Sequence, residues 1–191
     1  MYLAVVRITT TLDDRAVNIG VCILAGGLSE RMGREKARMW LGRRTLLGHV
    51  RRAAEGSELN VRVIRKDIVP RCGPLGGIYT GLKTSKHEAE LFLSCDMPFV
   101  STPLLKRVAA YRCPVFVECA ERAGFPLMLL KGNSQAILKE IRAGRRSLQN
   151  LARRLGAKIL TLPLEQARQL LNVNTQADWE EAMRRRSELP L

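Results

Sequence analysis

The chain is poor in several residue types that commonly carry function. It has four phenylalanines, three tyrosines, two tryptophans and two histidines among 191 residues. The aromatic residues form no cluster on which single-stranded bases could stack, and no recognised DNA- or RNA-binding motif occurs. A basic nucleic-acid-binding domain therefore remains only as an alternative of a different class.

Cysteine pairs and long apolar runs are also missing. The five cysteines include no C-x-x-C pair, which disfavours a disulfide framework and a zinc site and predicts a reducing, cytoplasmic compartment. No apolar run approaches the ~18 residues of a membrane span, so no membrane association is expected. Residues 1–17 lack the basic-then-apolar order of a signal peptide. We expect them to form an N-terminal extension of unknown role, either an added strand or a loose tail.

Acidic residues are scarce: 18 aspartates and glutamates stand against 32 lysines and arginines, which gives a net charge of +14. Such a charge attracts polyanions, including nucleotides, nucleic acids and acidic proteins, without selecting among them. The length suits one α/β domain with a full core, and we expect this domain to cover residues 18–191.

The most informative stretch is residues 24–36, L-A-G-G-L-S-E-R-M-G-R-E-K. The apolar run before it, residues 19–24, predicts a buried strand. Two glycines then allow a turn whose backbone N–H groups can cradle phosphates. Arg31, Arg34 and Lys36 can neutralise charge at the same place, so the stretch suits a nucleoside triphosphate.

This loop follows neither of the two commonest phosphate-binding patterns. The Walker pattern ends in Gly-Lys-Ser/Thr, whereas here Lys36 lies three residues past Gly33 and is followed by Ala37. The dinucleotide fingerprint G-x-G-x-x-G is absent as well. A tight turn with exposed basic residues is the alternative that involves no ligand.

Strands and helices alternate along the rest of the chain, which predicts a three-layer α/β/α sandwich. Thr45 and Thr175 are expected to cap helices. His49 and His87 are expected on exposed helix surfaces. Further strands are expected at residues 61–65, 91–95, 115–117, 126–130 and 159–162.

Three site candidates each follow a predicted strand. They are Gly26, Asp67 and Asp96, and ligands of open parallel sheets bind at the carboxyl ends of strands. Asp96 either caps a turn or binds Mg²⁺, and the glycine loop at the same edge favours the metal because nucleotidyl transfer needs a hard cation across the phosphates. Asp67 can accept two hydrogen bonds from guanine, or can instead bind Arg65 or a backbone amide.

Four motifs, in this order, resemble those of the molybdenum cofactor guanylyltransferase family: L-A-G-G-x-S-x-R-M-G-x-x-K, G-P-L-G-G-I, S-C-D-M-P and N-V-N-T. The resemblance implies a mostly parallel, Rossmann-like sheet of the nucleotide-diphospho-sugar transferase type. It also implies transfer of GMP from GTP to the phosphate of molybdopterin, with release of pyrophosphate and with Mg²⁺ as cofactor. A recipient molybdoenzyme or its chaperone would be a further partner.

The resemblance implies roles for individual residues. Lys36 and Asp96 would be catalytic, with Lys36 on the phosphates and Asp96 on both GTP and Mg²⁺, while Asp67 would bind the nucleotide. GTP would also be contacted by the loop residues Leu24, Ala25, Gly26, Gly27 and Arg31. The pterin side of the cleft would be lined by Gly76, Gly77, Asn172 and Asn174.

The chain departs from the family pattern at several points. Only residues 58–66 stand where the family has a further strand and loop, and its nucleotide-contacting asparagine has no clear counterpart. Glu35 replaces an aspartate before the lysine, and Gln176 replaces a proline after N-V-N-T. Because the shortened segment forms part of the base pocket, a cytidylyltransferase on the same pterin or a sugar-phosphate nucleotidyltransferase remains an alternative.

Overall fold

The computed structural model describes residues 17–26 and 36–190. Within them the strands are β1 (Ile19–Leu24), β2 (Trp40–Leu41), β3 (Arg44–Thr45), β4 (Asn60–Ile64), β5 (Ala89–Ser94), β6 (Val115–Cys119), β7 (Arg122–Leu130) and β8 (Lys158–Thr161). The α-helices are α1 (Leu46–Glu55), α2 (Pro74–Thr84), α3 (Thr102–Ala109), α4 (Ser134–Arg142), α5 (Leu148–Arg154) and α6 (Gln176–Arg184). Short 3₁₀ helices cover Lys36–Arg38, Lys131–Asn133, Leu164–Leu170 and Arg186–Glu188. None of the helices in these two ranges is long and apolar enough to span a membrane.

Six strands form one sheet in the order β4-β1-β5-β7-β6-β8. Strand β7 pairs antiparallel with both of its neighbours, and the other pairings are parallel, so the predicted mostly parallel sheet is confirmed. The register places Leu24 of β1 level with Ile64 of β4 and with Ser94 of β5. The residues that follow these three strands therefore meet at one edge of the sheet.

Helices cover both faces of this sheet, which confirms the three-layer prediction. Val21 of β1 belongs to an apolar cluster with α1 and α3 on one face. Its neighbour Cys22 belongs to a second cluster, with α2, α4 and α5, on the other face. Successive strand residues point to opposite faces, so the unbroken apolar run of β1 is what a strand covered on both sides requires.

A smaller apolar cluster joins the β2–β3 hairpin to α6. Its buried members are Leu41 of the hairpin, Leu46 of α1, Ala182 of α6, Phe99 and Val173. Phe99 lies in the loop after β5, and Val173 lies in the segment before α6. The cluster therefore packs the segment before α6 against the loop that follows β5.

The two predicted helix caps are confirmed. The Thr45 hydroxyl accepts the N–H of Gly48 at 3.0 Å, and the Thr175 hydroxyl accepts the N–H of Asp178 at 3.2 Å. Each hydroxyl accepts a hydrogen bond from one of the first N–H groups of the helix, which have no carbonyl partner within the helix itself. Capping is local chemistry, which explains why the sequence alone located these helix starts.

The expectation of exposed histidines on helices is wrong. His49 is buried on α1, where its Nε2 lies 2.7 Å from the carbonyl oxygen of Leu41. His87 lies outside the helices, in the turn before β5, and its Nδ1 is 3.1 Å from Oε1 of the fully buried Glu90. Arg62 of β4 contacts the same carboxylate at 3.0 Å. These partners come from other elements of the fold, so helical spacing in the sequence could not reveal them.

A single strand, β4, lies between α1 and α2, and it forms an edge of the sheet. The short segment noted in the sequence before Asp67 is therefore this one strand and the turn after it. Strand β1, which leads into the glycine loop, is consequently only one strand from the edge.

Candidate active site

Three strand ends come together at the carboxyl edge of the sheet. The backbone N–H of Ala25 donates to the carbonyl oxygen of Ile64 at 2.8 Å, and the N–H of Cys95 donates to that of Leu24 at 3.0 Å. These bonds extend the pairing of β1 with β4 and β5 beyond the strands themselves. They bring the residues after β1, β4 and β5 into one place, as the sequence predicted for Gly26, Asp67 and Asp96.

Gly26 occupies a position where a side chain does not fit. A Cβ atom there would lie 2.9 Å from the carbonyl oxygen of Arg65, closer than side-chain carbons normally approach backbone. The exit of β1 therefore depends on glycine for close packing against the residue that follows β4. Gly27 and Arg31, the other predicted contacts in this loop, lie outside the described residues.

Asp67 lies against the first turn of α2. A Cβ atom on Gly76 would lie 2.9 Å from Oδ2 of Asp67, and one on Gly77 would lie 3.1 Å from the Leu24 side chain. The two glycines thus leave room for Asp67 and Leu24 beside the helix. They adjoin residues predicted to contact the nucleotide, so their role toward the pterin stays a prediction.

In the part of the chain that the structure describes, the Asp67 carboxylate has neither of the protein partners, Arg65 or a backbone amide, that were considered as alternatives to guanine. Burial raises its pKa above the ordinary range, and no hydrogen bond or charge among the described residues offsets this effect. Neither Arg65 nor a backbone amide of the described chain therefore holds it. A partly buried carboxylate in this state is suited to accept hydrogen bonds from a ligand.

Asp96 is anchored through its backbone while its side chain stays incompletely bonded. Its carbonyl oxygen accepts the N–H of Val173 at 2.9 Å. Its Oδ1 atom is buried and has no hydrogen-bond partner among the described residues. Burial is the main cause that raises the pKa of Asp96, and the negative charge of Asp178 raises it further. A hydrogen bond from the Ser94 hydroxyl and the charge of the Lys36 ammonium act to lower this pKa.

Lys36, the residue that ends the glycine-rich stretch of the sequence, lies near enough to Asp96 to affect its pKa. Its Nζ donates a hydrogen bond of 2.9 Å to Oδ1 of Asn174. Its positive charge is close enough to lower the pKa values of both Asp96 and Asp178. The structure therefore brings together Lys36, Asp96 and Asn174, which the sequence had proposed from three separate motifs.

Asn172 is placed differently from Asn174. Its Nδ2 donates to the carbonyl oxygen of Leu170 at 3.3 Å, so the amide supports the backbone of its own segment. No hydrogen bond of the described residues joins its side chain to Lys36 or Asp96. Of the two asparagines assigned to the pterin side, Asn174 is the one in contact with the catalytic candidates.

Asp178 was missed by the sequence reasoning. Its Oδ2 accepts the backbone N–H groups of Asn174 at 2.9 Å and of Thr175 at 2.8 Å. Partial burial acts to raise its pKa, but these hydrogen bonds and the charge of Lys36 hold the pKa below its ordinary value. The T-x-x-D spacing from Thr175 resembles a capping box and could have drawn attention to it.

The site offers carboxylates, amides and a cation rather than a nucleophile. Burial, aided by the charge of Asp96, raises the pKa of Cys95 to about 12, so its thiol stays protonated. Among residues 17–26 and 36–190, no group of three or more His, Cys, Asp or Glu side chains could hold a metal ion. Any cation bound there would take one or two carboxylates and oxygen atoms of the ligand, which is how Mg²⁺ commonly binds.

A comparison with known families agrees with this arrangement. The sequence model described as the MobA-like NTP transferase domain matches residues 21–64 and 51–160. Residues 51–64, which include the end of α1 and all of β4, belong to both matching pieces. The single strand between α1 and α2 lies within this shared segment.

Individual proteins give the same result. A molybdenum cofactor guanylyltransferase of Xanthomonas euvesicatoria is 30% identical over 82% of this chain and 90% of its own. The crystal structure of molybdopterin-guanine dinucleotide biosynthesis protein A from Archaeoglobus fulgidus matches with a TM-score of 0.68 and 19% identity, over 89% of this chain and 100% of that one. A 2-C-methyl-D-erythritol 4-phosphate cytidylyltransferase from Thermus thermophilus has a TM-score of 0.66 and 16% identity, over 90% and 100% of the two chains.

The two structures share the fold of this chain, which confirms the expected nucleotidyltransferase architecture. Because one is named for a guanine dinucleotide product and the other for cytidylyl transfer, the fold does not select the base. The family match covers most of the chain, and together with the Xanthomonas relative it confirms the family that the sequence resembles. The chain therefore belongs to the MobA-like NTP transferase family and is a nucleotidyltransferase.

Proposed function

We propose that this enzyme transfers GMP from GTP to the phosphate of molybdopterin and releases pyrophosphate. The observation that carries the proposal is the meeting of Lys36, Asp96 and Asn174 at the edge where β1 enters the glycine loop. The Xanthomonas relative, named for this activity, supports the choice of substrates. The five cysteines are all free thiols, which supports a reducing, cytoplasmic setting.

GTP is held, in this proposal, by the turn after β1. Leu24, Ala25 and Gly26 lie at the strand exit, and Gly26 lets the backbone run close to the residue after β4. Backbone N–H groups and Arg31 of the following loop would bind the phosphates together with the Lys36 ammonium. The cationic groups neutralise the charge that develops on the pyrophosphate as it leaves.

Asp96 fits the requirements of a Mg²⁺ ligand. Its buried Oδ1 has no hydrogen-bond partner among the described residues, and a carboxylate oxygen is the donor that this hard cation prefers. When bound, Mg²⁺ would neutralise phosphate charge. The raised pKa of Asp96 is consistent with a group whose negative charge lacks a full complement of partners.

The transfer itself needs little from acid–base groups of the protein. A phosphate oxygen of the pterin attacks the α-phosphorus of GTP, the new P–O bond forms, and the bond to the β-phosphate oxygen breaks. The attacking phosphate is already ionised at neutral pH, so the protein need not remove a proton. Positioning and charge neutralisation remain, and Lys36 and Asn174 are placed for both.

The acceptor would enter from the side of the segment before α6. Asn174 is in contact with Lys36, while Asn172, Gly76 and Gly77 complete the proposed pterin side. A recipient molybdoenzyme or its chaperone is the proposed destination of the product. Exposed basic residues on and around α4 and α5 could attract an acidic partner: Lys139, Arg142, Arg146, Arg153 and Arg154.

Guanine is the proposed base because of Asp67. A carboxylate can accept hydrogen bonds from both the ring N–H and the amino group of guanine, and the Asp67 carboxylate has no competing partner in the described chain. A cytidylyltransferase on the same pterin is the second candidate. It is favoured by one observation, namely that a single strand lies between α1 and α2 where the family has more chain to form the base pocket.

One experiment tests both candidates. The protein is incubated with molybdopterin, Mg²⁺ and each of the four nucleoside triphosphates, and products are identified by mass spectrometry while pyrophosphate is measured. We expect the guanine dinucleotide with GTP. A product with CTP alone would assign the enzyme to cytidylyl transfer. Absence of pyrophosphate with all four nucleotides would contradict the proposed function.

A further inference from the structure

The segment between the 3₁₀ helix Leu164–Leu170 and α6 is held by backbone bonds to two different parts of the fold. The N–H of Val173 donates to the carbonyl oxygen of Asp96 at 2.9 Å. One residue further on, the N–H of Asn174 donates to Oδ2 of Asp178 at 2.9 Å. Asn174, whose side chain holds Lys36, is thereby bracketed by bonds to two separate parts of the fold.

Asp178 does more than a helix cap requires. In a capping box the third helical residue returns a single hydrogen bond to the cap, and here this is the 2.8 Å bond from the N–H of Thr175. The additional bond reaches Asn174, which lies before the cap. Fixing the backbone of Asn174 fixes the direction of its Cα–Cβ bond, so the position of its amide oxygen then depends only on the two side-chain torsions.

We propose that Asp178 is a positioning residue of the active site, which acts through Asn174 to hold the Lys36 ammonium beside Asp96. The proposal rests on the proposed function for its catalytic consequence. Its geometric part stands on the chain of bonds from Asp178 to the Asn174 N–H and from Asn174 Oδ1 to Lys36 Nζ.

A helix cap alone predicts something different. Loss of a capping residue destabilises a protein without changing a distant site. Ser147 provides the matched control, because its hydroxyl caps α5 by accepting the N–H of Asn150 at 3.2 Å, and no hydrogen bond of the described residues joins its side chain to Lys36, Asp96 or Asn174. Ser147→Ala should therefore lower stability as Asp178→Ala does, but should leave kcat unchanged.

Kinetic measurements separate the two roles. At saturating GTP and Mg²⁺, we expect Asp178→Ala to lower kcat roughly 10- to 100-fold, as for a misplaced catalytic group, with a much smaller change in the KM for GTP. Asp178→Asn keeps an oxygen that can accept both N–H groups and should restore most of the rate. In the Asn174→Ala background, Asp178→Ala should cause little further loss, because residues that act through one another are not additive.

A second readout does not depend on the reaction. Acylation of Lys36 by acetic anhydride, followed by mass spectrometry, reports how firmly its amine is held. We expect faster labelling of Lys36 in Asp178→Ala than in the wild type or in Ser147→Ala. Equal labelling rates in all three proteins would overturn the positioning role, whether or not the enzyme is active.

The outcomes distinguish this inference from the proposed function. If wild-type protein forms no product with any nucleotide, the proposed function fails, and the labelling result alone decides the role of Asp178. If wild-type protein is active but Asp178→Ala matches Ser147→Ala in kcat, the positioning role is wrong. Rate losses that multiply in the double variant with Asn174→Ala would also contradict it.

Discussion

Lys36 and Asn174 lie 138 positions apart in the sequence, yet Nζ of Lys36 donates a 2.9 Å hydrogen bond to Oδ1 of Asn174. One residue ends the glycine-rich loop, and the other immediately precedes the cap of the last helix. The ammonium of Lys36 is therefore bonded to a segment whose own backbone is bonded to Asp96. Truncation after Leu171 should accordingly remove activity even though the six-stranded sheet would be retained.

Replacement of Lys36 by Ala should lower kcat roughly 10²- to 10³-fold, because a group that neutralises charge in the transition state is lost. Stability should change little, since Lys36 contributes no apolar side chain to the core. Lys83→Ala, at an exposed position near the end of α2, serves as the control. Wild-type kcat in Lys36→Ala would show that the residue has been assigned the wrong role.

Replacement of Asp96 by Asn should abolish Mg²⁺-dependent transfer while the protein still folds. The change keeps the size of the side chain but removes the anionic oxygen on which a hard divalent cation depends. Added Mg²⁺ and GTP should raise the thermal unfolding temperature of the wild type but not that of the variant. Near-normal turnover of Asp96→Asn at ordinary Mg²⁺ concentrations would exclude the metal-ligand role.

The same substitution should alter how stability depends on pH. The pKa of Asp96 is raised in the folded state above its ordinary 3.8, mainly by burial. Folding therefore disfavours the ionised form, and the wild type loses stability as the pH rises from this ordinary value through the raised one. Without Mg²⁺, the stability advantage of Asp96→Asn should grow over this window and then level off. Urea unfolding of both proteins at several pH values measures this difference in stability. A difference that stays constant across the window would contradict the prediction.

GTP should be preferred over CTP, and Asp67→Asn should reduce that preference. An amide presents an N–H₂ group to one of the two guanine donors, so one hydrogen bond to a charged acceptor is replaced by a mismatch. The loss in kcat/KM for GTP should be about 10- to 100-fold, with little effect on CTP. Competition between the two nucleotides gives the ratio. An unchanged ratio in the variant would mean that Asp67 does not read the base.

Replacement of Glu90 by Ala should destabilise the fold by about 3 kcal/mol, because it leaves the Arg62 guanidinium partly buried without its charged partner. Activity at low temperature should survive, since Glu90 begins β5 far from its carboxyl end. Glu58→Ala, which removes an exposed ion pair with Lys106, should have a much smaller effect. Urea unfolding compares the three proteins. Equal stability of Glu90→Ala and wild type would show that the buried charges do not depend on one another.

Sequence reasoning located the parts of this fold that are set by local chemistry. The apolar run of β1 and the hydroxyl caps at Thr45 and Thr175 each act within a few residues, so their patterns are readable along the chain. The convergence of Gly26, Asp67 and Asp96 also followed from sequence, because parallel strands end at a common edge. The roles of these residues in binding stay predictions.

Contacts between distant segments were not readable in the same way. The hydrogen bond from Lys36 to Asn174 joins residues of separate motifs, and nothing in either motif specifies the partner. His87 was predicted on an exposed helix surface, whereas it contacts the buried Glu90, whose carboxylate is also held by Arg62 from a separate strand. Asp178 escaped attention because its capping role is common, while its bond to Asn174 depends on how the chain approaches α6.

The position of β4 has a consequence for how this family can change length during evolution. An edge strand pairs on one side only, so the strands inside it keep their partners if an outer neighbour is deleted. In this chain β1 remains covered by β4 and β5 on its two sides, and the helices of both layers still bury it. Deletions outside β4 at this edge can therefore change the length of the chain while β1 and its exit at Gly26 are preserved.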